Sequence, residues 1–334
     1  MRVARPHGTV KCIAFRASPA LVGAMLALGW PVRAHPIERD LFVVPSAIVS
    51  NSQLNELLHR EDFIYLATVA FLVSPTGSNQ TYTSDPTWNN SNNTVDCIGG
   101  GGGGGAAFNS DSVNGGGGGG GGHSRNTNFV FAAPGVTTAT WQCGAFGVGD
   151  VNDTRGAGAG GSTWFNGTTL AGSSVGANGG AGGDAGAFDG VGGAGGSTTG
   201  ATGTTKHSGG AGGNGTASST GSGGGAGGPS GNGSAGAVGG AGGAADGGTV
   251  AGGSIGSNGN SGTEFDSSHG CGSGAGSVNT GGGKAGGNYG GGGSGAFGSG
   301  ISVQDGGNGA QGIIALTWVV AVLGLRRRAI VYRR

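Results

Sequence analysis

Of the 88 glycines in this 334-residue chain, 83 lie between Gly99 and Gly312, and no other feature restricts the possible folds as tightly. Within 171–300, glycine fills 55 of 130 positions, while only 11 carry a bulky apolar side chain (Val, Ile, Phe, Tyr or Cys). That is too few to build a side-chain core. Each glycine also loses about 0.5–1 kcal/mol more backbone freedom on folding than alanine does, so 55 of them add roughly 30–55 kcal/mol of entropic cost. The block therefore either stays disordered or is held by a dense set of backbone hydrogen bonds.

Bundled left-handed strands of three residues per turn, the polyglycine counterpart of polyproline II, are the ordered solution. They make no internal hydrogen bonds, so every N–H and C=O is free to bond a neighbour. The phrases Gly209-Gly210-Ala211-Gly212-Gly213-Asn214 and Gly239-Gly240-Ala241-Gly242-Gly243-Ala244 show the matching period of three. Collagen is excluded, because it needs about 15–20% proline in an unbroken register and this region offers only Pro134 and Pro229. A flexible Gly/Ser linker is the competing reading. The spacing of Trp164-Phe165, Phe188, Phe265, Tyr289 and Phe297 along the block favours order.

The flanks read differently. Residues 1–34 have the layout of an export leader: four basic residues precede the apolar run, Ala17–Trp30 is apolar apart from Ser18, and Val32-Arg33-Ala34 suits cleavage. The alternative is an unstructured extension from a misplaced start. Cleavage after Ala34 would leave 11 basic against 16 acidic residues. In the segment 35–75, Asn51–Asp62 reads as one or two helical turns. Phe63–Val73 is an 11-residue apolar run, too short for the roughly 20 residues of a bilayer span, and reads as a buried strand. Strands are further expected at Thr94–Ile98, Asn128–Phe131 and Val136–Val148, with Ala133-Pro134-Gly135 as a turn. Trp141, Cys143 and Val148 are expected on one face. The closing strands are Ile301–Val303 and Gly312–Trp318. The fold class is thus mainly β plus irregular structure with little helix: a small β-sandwich or sheet supporting a polyglycine-II bundle.

Particular strings carry a resemblance. Trp88-Asn89-Asn90-Ser91-Asn92-Asn93-Thr94, running through Val95-Asp96-Cys97-Ile98 into a glycine run, resembles the opening of glycine-rich domain proteins of bacterial and prophage genomes. TWFNGTTLAGSSVGANGG (163–180), GTTKHSGGAGG (203–213), GTEFDSSHG (262–270) and GAQGIIALTW (309–318) extend the match. The resemblance spans residues 76–318, divided into a β-rich opening at 76–148, a polyglycine region at 149–300 and closing strands at 301–318. It leaves 319–334 as a basic tail. A more distant architectural likeness is to glycine-rich adhesins at phage tail-fibre tips, and it implies layered polyglycine helices whose connecting loops touch a receptor. Cys143, Cys271 and the tail beyond Trp318 depart from the family pattern.

No motif points to catalysis. Gly281-Gly282-Gly283-Lys284-Ala285 lacks both the first glycine and the Ser/Thr of a P-loop. The G-x-S-x-G matches at Gly172–Gly176 and Gly252–Gly256 lack a strand–helix elbow. Gly179–Asp184 begins like a calcium nonapeptide, but no tandem copies follow. His269 and Cys271 stand apart from any second ligand pair. No enzyme activity, cofactor or metal is expected. Net charge is zero overall and −6 across 95–312 (four basic against ten acidic residues), which excludes a nucleic-acid partner. Ile313–Leu325 before Arg326-Arg327-Arg328 reads either as a final strand or as a membrane-sorting tail. Its 13 residues reach only about 20 Å as a helix, so the strand is preferred, and membrane contact is expected only if 313–325 is a sorting tail.

The expected protein is non-enzymatic, glycine-rich and exported to the surface or exterior. It would be structural or adhesive, self-associating, and able to bind a cell-surface glycan or protein. The binding candidates are Phe188, Phe265, His269, Tyr289 and Phe297, because aromatic side chains give contact area at low entropic cost. The bland reading of the same residues is that they plug the ends and edges of the bundle, as Trp164 and Phe165 are expected to. The remaining alternatives are a phage-tail-like receptor-binding component, or a disordered or partly misframed chain without a ligand.

Overall fold

The computed structural model describes residues 10–16, 33–34, 41–45, 64–74, 78–107, 114–151, 156–185, 189–298 and 303–321. Twelve strands are present among them: β1 (Val10–Arg16), β2 (Arg33–Ala34), β3 (Leu41–Pro45), β4 (Ile64–Leu72), β5 (Gln80–Thr83), β6 (Asn93–Ile98), β7 (His123–Thr127), β8 (Thr138–Gln142), β9 (Thr163–Phe165), β10 (Val175–Ala177), β11 (Thr205–His207) and β12 (Ile313–Ala321). They form two antiparallel sheets, one ordered β11-β7-β6-β12-β4-β1-β3-β2 and the other β10-β9-β8-β5. The only helix among the described residues is one 3₁₀ turn, Asp246–Gly248.

The sheets are mainly β-branched and aromatic residues in alternation, and the pleat sends successive side chains to opposite faces. On one face of the large sheet Leu72, Val95, Cys97, Ile314, Leu316 and Trp318 meet Ala139, Trp141, Phe165 and Val175 of the small sheet. On the other face Val69, Phe71, Ile98, Ile313 and Ala315 meet Ala226, Ala245, Cys271 and Tyr289 from the glycine block. β12 lies at the centre, paired with β6 (Leu316↔Val95) and β4 (Trp318↔Thr68). Residues 313–321 are therefore strand, as preferred, and no helix among the described residues is long and apolar enough to cross a membrane.

Beyond the sheets, the strands continue into polyglycine segments. The segment 99–105 follows β6 directly. Its N–H groups at Gly99, Gly102 and Gly105 bond Gly122, Gly119 and Gly116. Those at Gly100 and Gly103 bond Gly161 and Gly158, and those at Gly101 and Gly104 bond Ala310 and Gly307, all at 2.8–3.0 Å. The carbonyls of the same segment accept from Gly147 and Asp150, Gly180 and Gly183, and Gly293 and Ala296. Every third residue thus returns to the same neighbour, which is the hydrogen-bonding signature of a three-residue-per-turn bundle. The second inner segment, 115–122, leads back into β7 and is surrounded in the same way. Outer segments place a non-glycine residue at every third position facing solvent: Ala194, Ala211 and Asn214 are exposed between buried and half-buried glycines.

Several expectations are corrected. Asn128–Phe131 is not a strand, because β7 ends at Thr127 and Asn128 turns the chain with φ 56°. The backbone beyond it is held by side chains instead. Asn93 accepts from the Phe129 N–H (2.7 Å) and donates to its carbonyl (3.0 Å), and Asn90 does the same for Phe131 (2.9 and 3.0 Å). Trp141 and Cys143 do share the inter-sheet core, but Val148 does not join them. It lies on an outer polyglycine segment and is 52% exposed. Trp164 and Phe165 form β9, where Phe165 fills the inter-sheet core rather than a bundle end. Ile301 and Ser302, the helical turns at 51–62 and the basic tail from 322 lie outside the described residues, as does most of 1–34. β1 and β2, however, fall within that segment.

Candidate functional site

The bundle has two ends. The near end abuts the large sheet and carries the turns at 228–233, 245–250 and 260–271. The far end carries the loops next to Gly105 and Gly115. Three of the five candidate residues, Phe265, His269 and Tyr289, come together at the near end. The His269 ring stacks on Phe71 (4.0 Å between centroids, 14°) and continues to Tyr289 (5.8 Å, 9°), while Phe265 tilts against Phe71 at 6.4 Å. The turn that presents them is closed by Asp266, whose carboxylate accepts from the N–H groups of Ser268 (2.7 Å) and His269 (2.8 Å) and bonds His269 Nδ1 at 2.8 Å. Burial tends to raise the Asp266 carboxyl, but these N–H donors and His269 outweigh it and hold it below the ordinary value. Burial, helped by Asp266, pushes the Tyr289 phenol up. Tyr289 is almost wholly covered, and Phe265 and His269 are partly covered. The stack packs the bundle onto the sheet, and its partly open face is the edge of Phe265 and His269.

Phe297 is elsewhere. Tyr289 starts the inner segment whose other end is Phe297; eight residues at 3.1 Å each separate them by about 25 Å. Phe297 bonds Gly281 at the far end and is partly exposed. Phe188 lies outside the described residues.

Two features escape the sequence reading. The first is a buried polar cluster on the large sheet. Asp96 Oδ1 accepts from His123 Nε2 and from Arg125 Nε, both at 2.7 Å, and the His123 ring stacks on His207 at 5.8 Å. Antiparallel pairing of β6 with β7 places Arg125 opposite Asp96, and the period-two alternation that predicts a strand does not reveal such cross-strand partners. Burial would raise the Asp96 carboxyl, but Arg125 and His123 outweigh it and hold it low. Burial holds the His123 imidazole below its ordinary value, against the pull of Asp96. The second feature is a set of exposed aliphatic side chains at the far end: Val151, Val191, Val238, Ile255 and Val303 are 39–57% exposed. They sit next to far-end anchors such as Asp150–Gly104, Asp184–Val191, Thr220–Gly239 and Ala107–Gln304. Hydrophobic residues interrupting a glycine repeat signalled them in the sequence, but not which end they occupy.

Among the described residues, no group of three or more His, Cys, Asp or Glu side chains is placed to hold a metal ion. Cys97, Cys143 and Cys271 are buried and free, and burial pushes all three thiols up, Cys143 to about 12. They are packing residues. No curated protein matches the chain. A family model described as a glycine-rich domain matches residues 76–319, from the β5 region through nearly all of β12. Since that match covers most of the chain, and includes the bundle and the strands that anchor it, the protein belongs to the glycine-rich domain family.

Proposed function

We propose that this is a non-enzymatic, exported display scaffold whose far-end loops bind a cell-surface glycan or protein. The observation that carries the reading is that five of the nine exposed large hydrophobic side chains among the described residues, Val151, Val191, Val238, Ile255 and Val303, lie at the end of the bundle away from the sheets. A backbone-bonded bundle fixes the separation of its loops without needing a side-chain core, and exposed apolar clusters mark interaction sites. Phe297 adds an aromatic edge on the same end. The stack of Phe265, His269 and Tyr289 is then a structural joint. Residues 1–34 support the export part of the reading by their leader-like composition.

The test is binding of the fluorescently labelled full chain to a printed glycan panel and to intact bacterial cells. Val238→Asp combined with Ile255→Asp is expected to lower binding at least tenfold, with His269→Ala leaving it unchanged. Loss on His269→Ala alone would move the site to the near end. No binding to any glycan or cell would leave a structural envelope role in place of adhesion.

A further inference from the structure

β4 is the strand on which the export reading and the fold collide. Its one edge pairs with β12, and its other pairs with β1 through Ile64↔Phe15 to Val69↔Val10. β1 lies wholly within residues 1–34, which the export reading assigns to a cleaved leader, and so does β2. Removal of that segment leaves β4 as the edge of the large sheet. This edge is unusually unprotected. Ile64–Leu72 (IYLATVAFL) is nine residues long with no charge, no proline and no glycine, and a long, uncharged edge presents an unpaired row of N–H and C=O groups that templates strand addition.

We propose that in the processed chain the β4 edge pairs with β4 of a second copy, in place of β1. This rests on the export reading above. The geometry suits a twofold. β1 already runs antiparallel to β4, and a second β4 related by a twofold axis also runs antiparallel to the first. Pairing about the middle of the stretch that β1 covers would set Ala67 opposite the second copy's Ala67 and Tyr65 opposite its Val69, joining the two large sheets into one. β3 is the competitor within the same chain. It has five residues, ends in Pro45, which has no N–H to donate, and would have to lie parallel to β4, because both are antiparallel to β1.

The experiment expresses the complete chain in an exporting host. Mass spectrometry reads the N-terminus of the exported product, and light scattering reads its molar mass. The expected result is a product beginning at His35 that is a dimer. Under reducing conditions, excess peptide of the β1 sequence VKCIAFR should halve its molar mass by capping β4, and the reversed sequence should not. A processed monomer, or a dimer that the peptide does not disturb, overturns the β4 interface while leaving the export reading intact. An exported product that retains residues 10–16 refutes the leader and removes the free edge with it.

Discussion

At the scale of single residues, glycine acts here through what it lacks. A Cβ on Gly118 would lie closer than 3.0 Å to the backbone of Gly102 and Gly103. No side-chain rotation can relieve contact with a neighbouring main chain. Gly118→Ala is therefore expected to destabilise by at least the roughly 1–3 kcal/mol typical of overpacking. At Gly156 an added methyl group would meet nothing within 4 Å among the described residues. Gly156→Ala is expected to be neutral or to stabilise by about 0.4–1 kcal/mol, since it only restricts the unfolded chain. Chemical denaturation of the two variants checks the pair, and similar midpoints would refute the close-packed bundle. Edge asparagines act in the opposite way, supplying hydrogen bonds where a neighbouring segment stops: Asn214 and Asn308 side-chain oxygens accept from the Gly192 and Gly149 N–H groups at 2.9 and 2.8 Å.

The buried Asp96–His123 pair sets a pH dependence. His123 titrates below its ordinary 6.5 in the folded chain. As pH falls through about 6.5, the unfolded chain therefore takes the proton first, and stability is lost until the folded value is passed. Asp96, also held low, keeps its contribution above its ordinary 3.8 and loses it as pH falls through the folded value. Both effects act in the same direction. The unfolding temperature is expected to drop between pH 7.5 and 5, and His123→Gln to flatten that slope while lowering stability at pH 7.5. An unchanged slope would remove His123 as its source.

At the scale of elements, the legible strands were those with an apolar run bounded by glycine or a turn: Thr94–Ile98 became β6, Phe63–Val73 became β4, and Gly312–Trp318 became β12 with three further residues. Asn128–Phe131 has the composition of a strand, yet its hydrogen bonds go to Asn90 and Asn93 side chains, a long-range competition invisible in a local window. The aromatic candidates were similarly legible as unusual but not as placed. Phe265 and His269 meet Phe71 from β4, 194 and 198 residues away by the numbering, and Tyr289 joins them through His269, so their packing depends on topology. The polyglycine segments predict their own signature. Amides of 116–122, all bonded, are expected to exchange slowly, whereas the outward-facing Ala194 and Ala211 positions should exchange fast on the outer segments. Hydrogen exchange resolved by residue reads this directly, and uniform random-coil rates would refute it.

At the scale of the whole molecule, sheet and bundle are one body, because β6 runs into 99–105, 115–122 into β7, and the segment ending at Gly312 into β12. Leu316 is fully buried at the centre of the large sheet. Leu316→Ala is expected to cost about 2–5 kcal/mol and to shift tryptophan fluorescence and the exchange protection of 116–122 together. Separate transitions would divide the molecule into two units. The glycine repeat by itself determined that packing here is done by backbone, with a period of three, because chains without Cβ atoms can approach closely enough to bond in every direction. Only the tertiary structure decided which segments are neighbours, which end faces the sheets, and which aromatics come together against β4. Those choices depend on hydrogen bonds between residues far apart in the chain, and successive glycines are too alike to specify a partner locally.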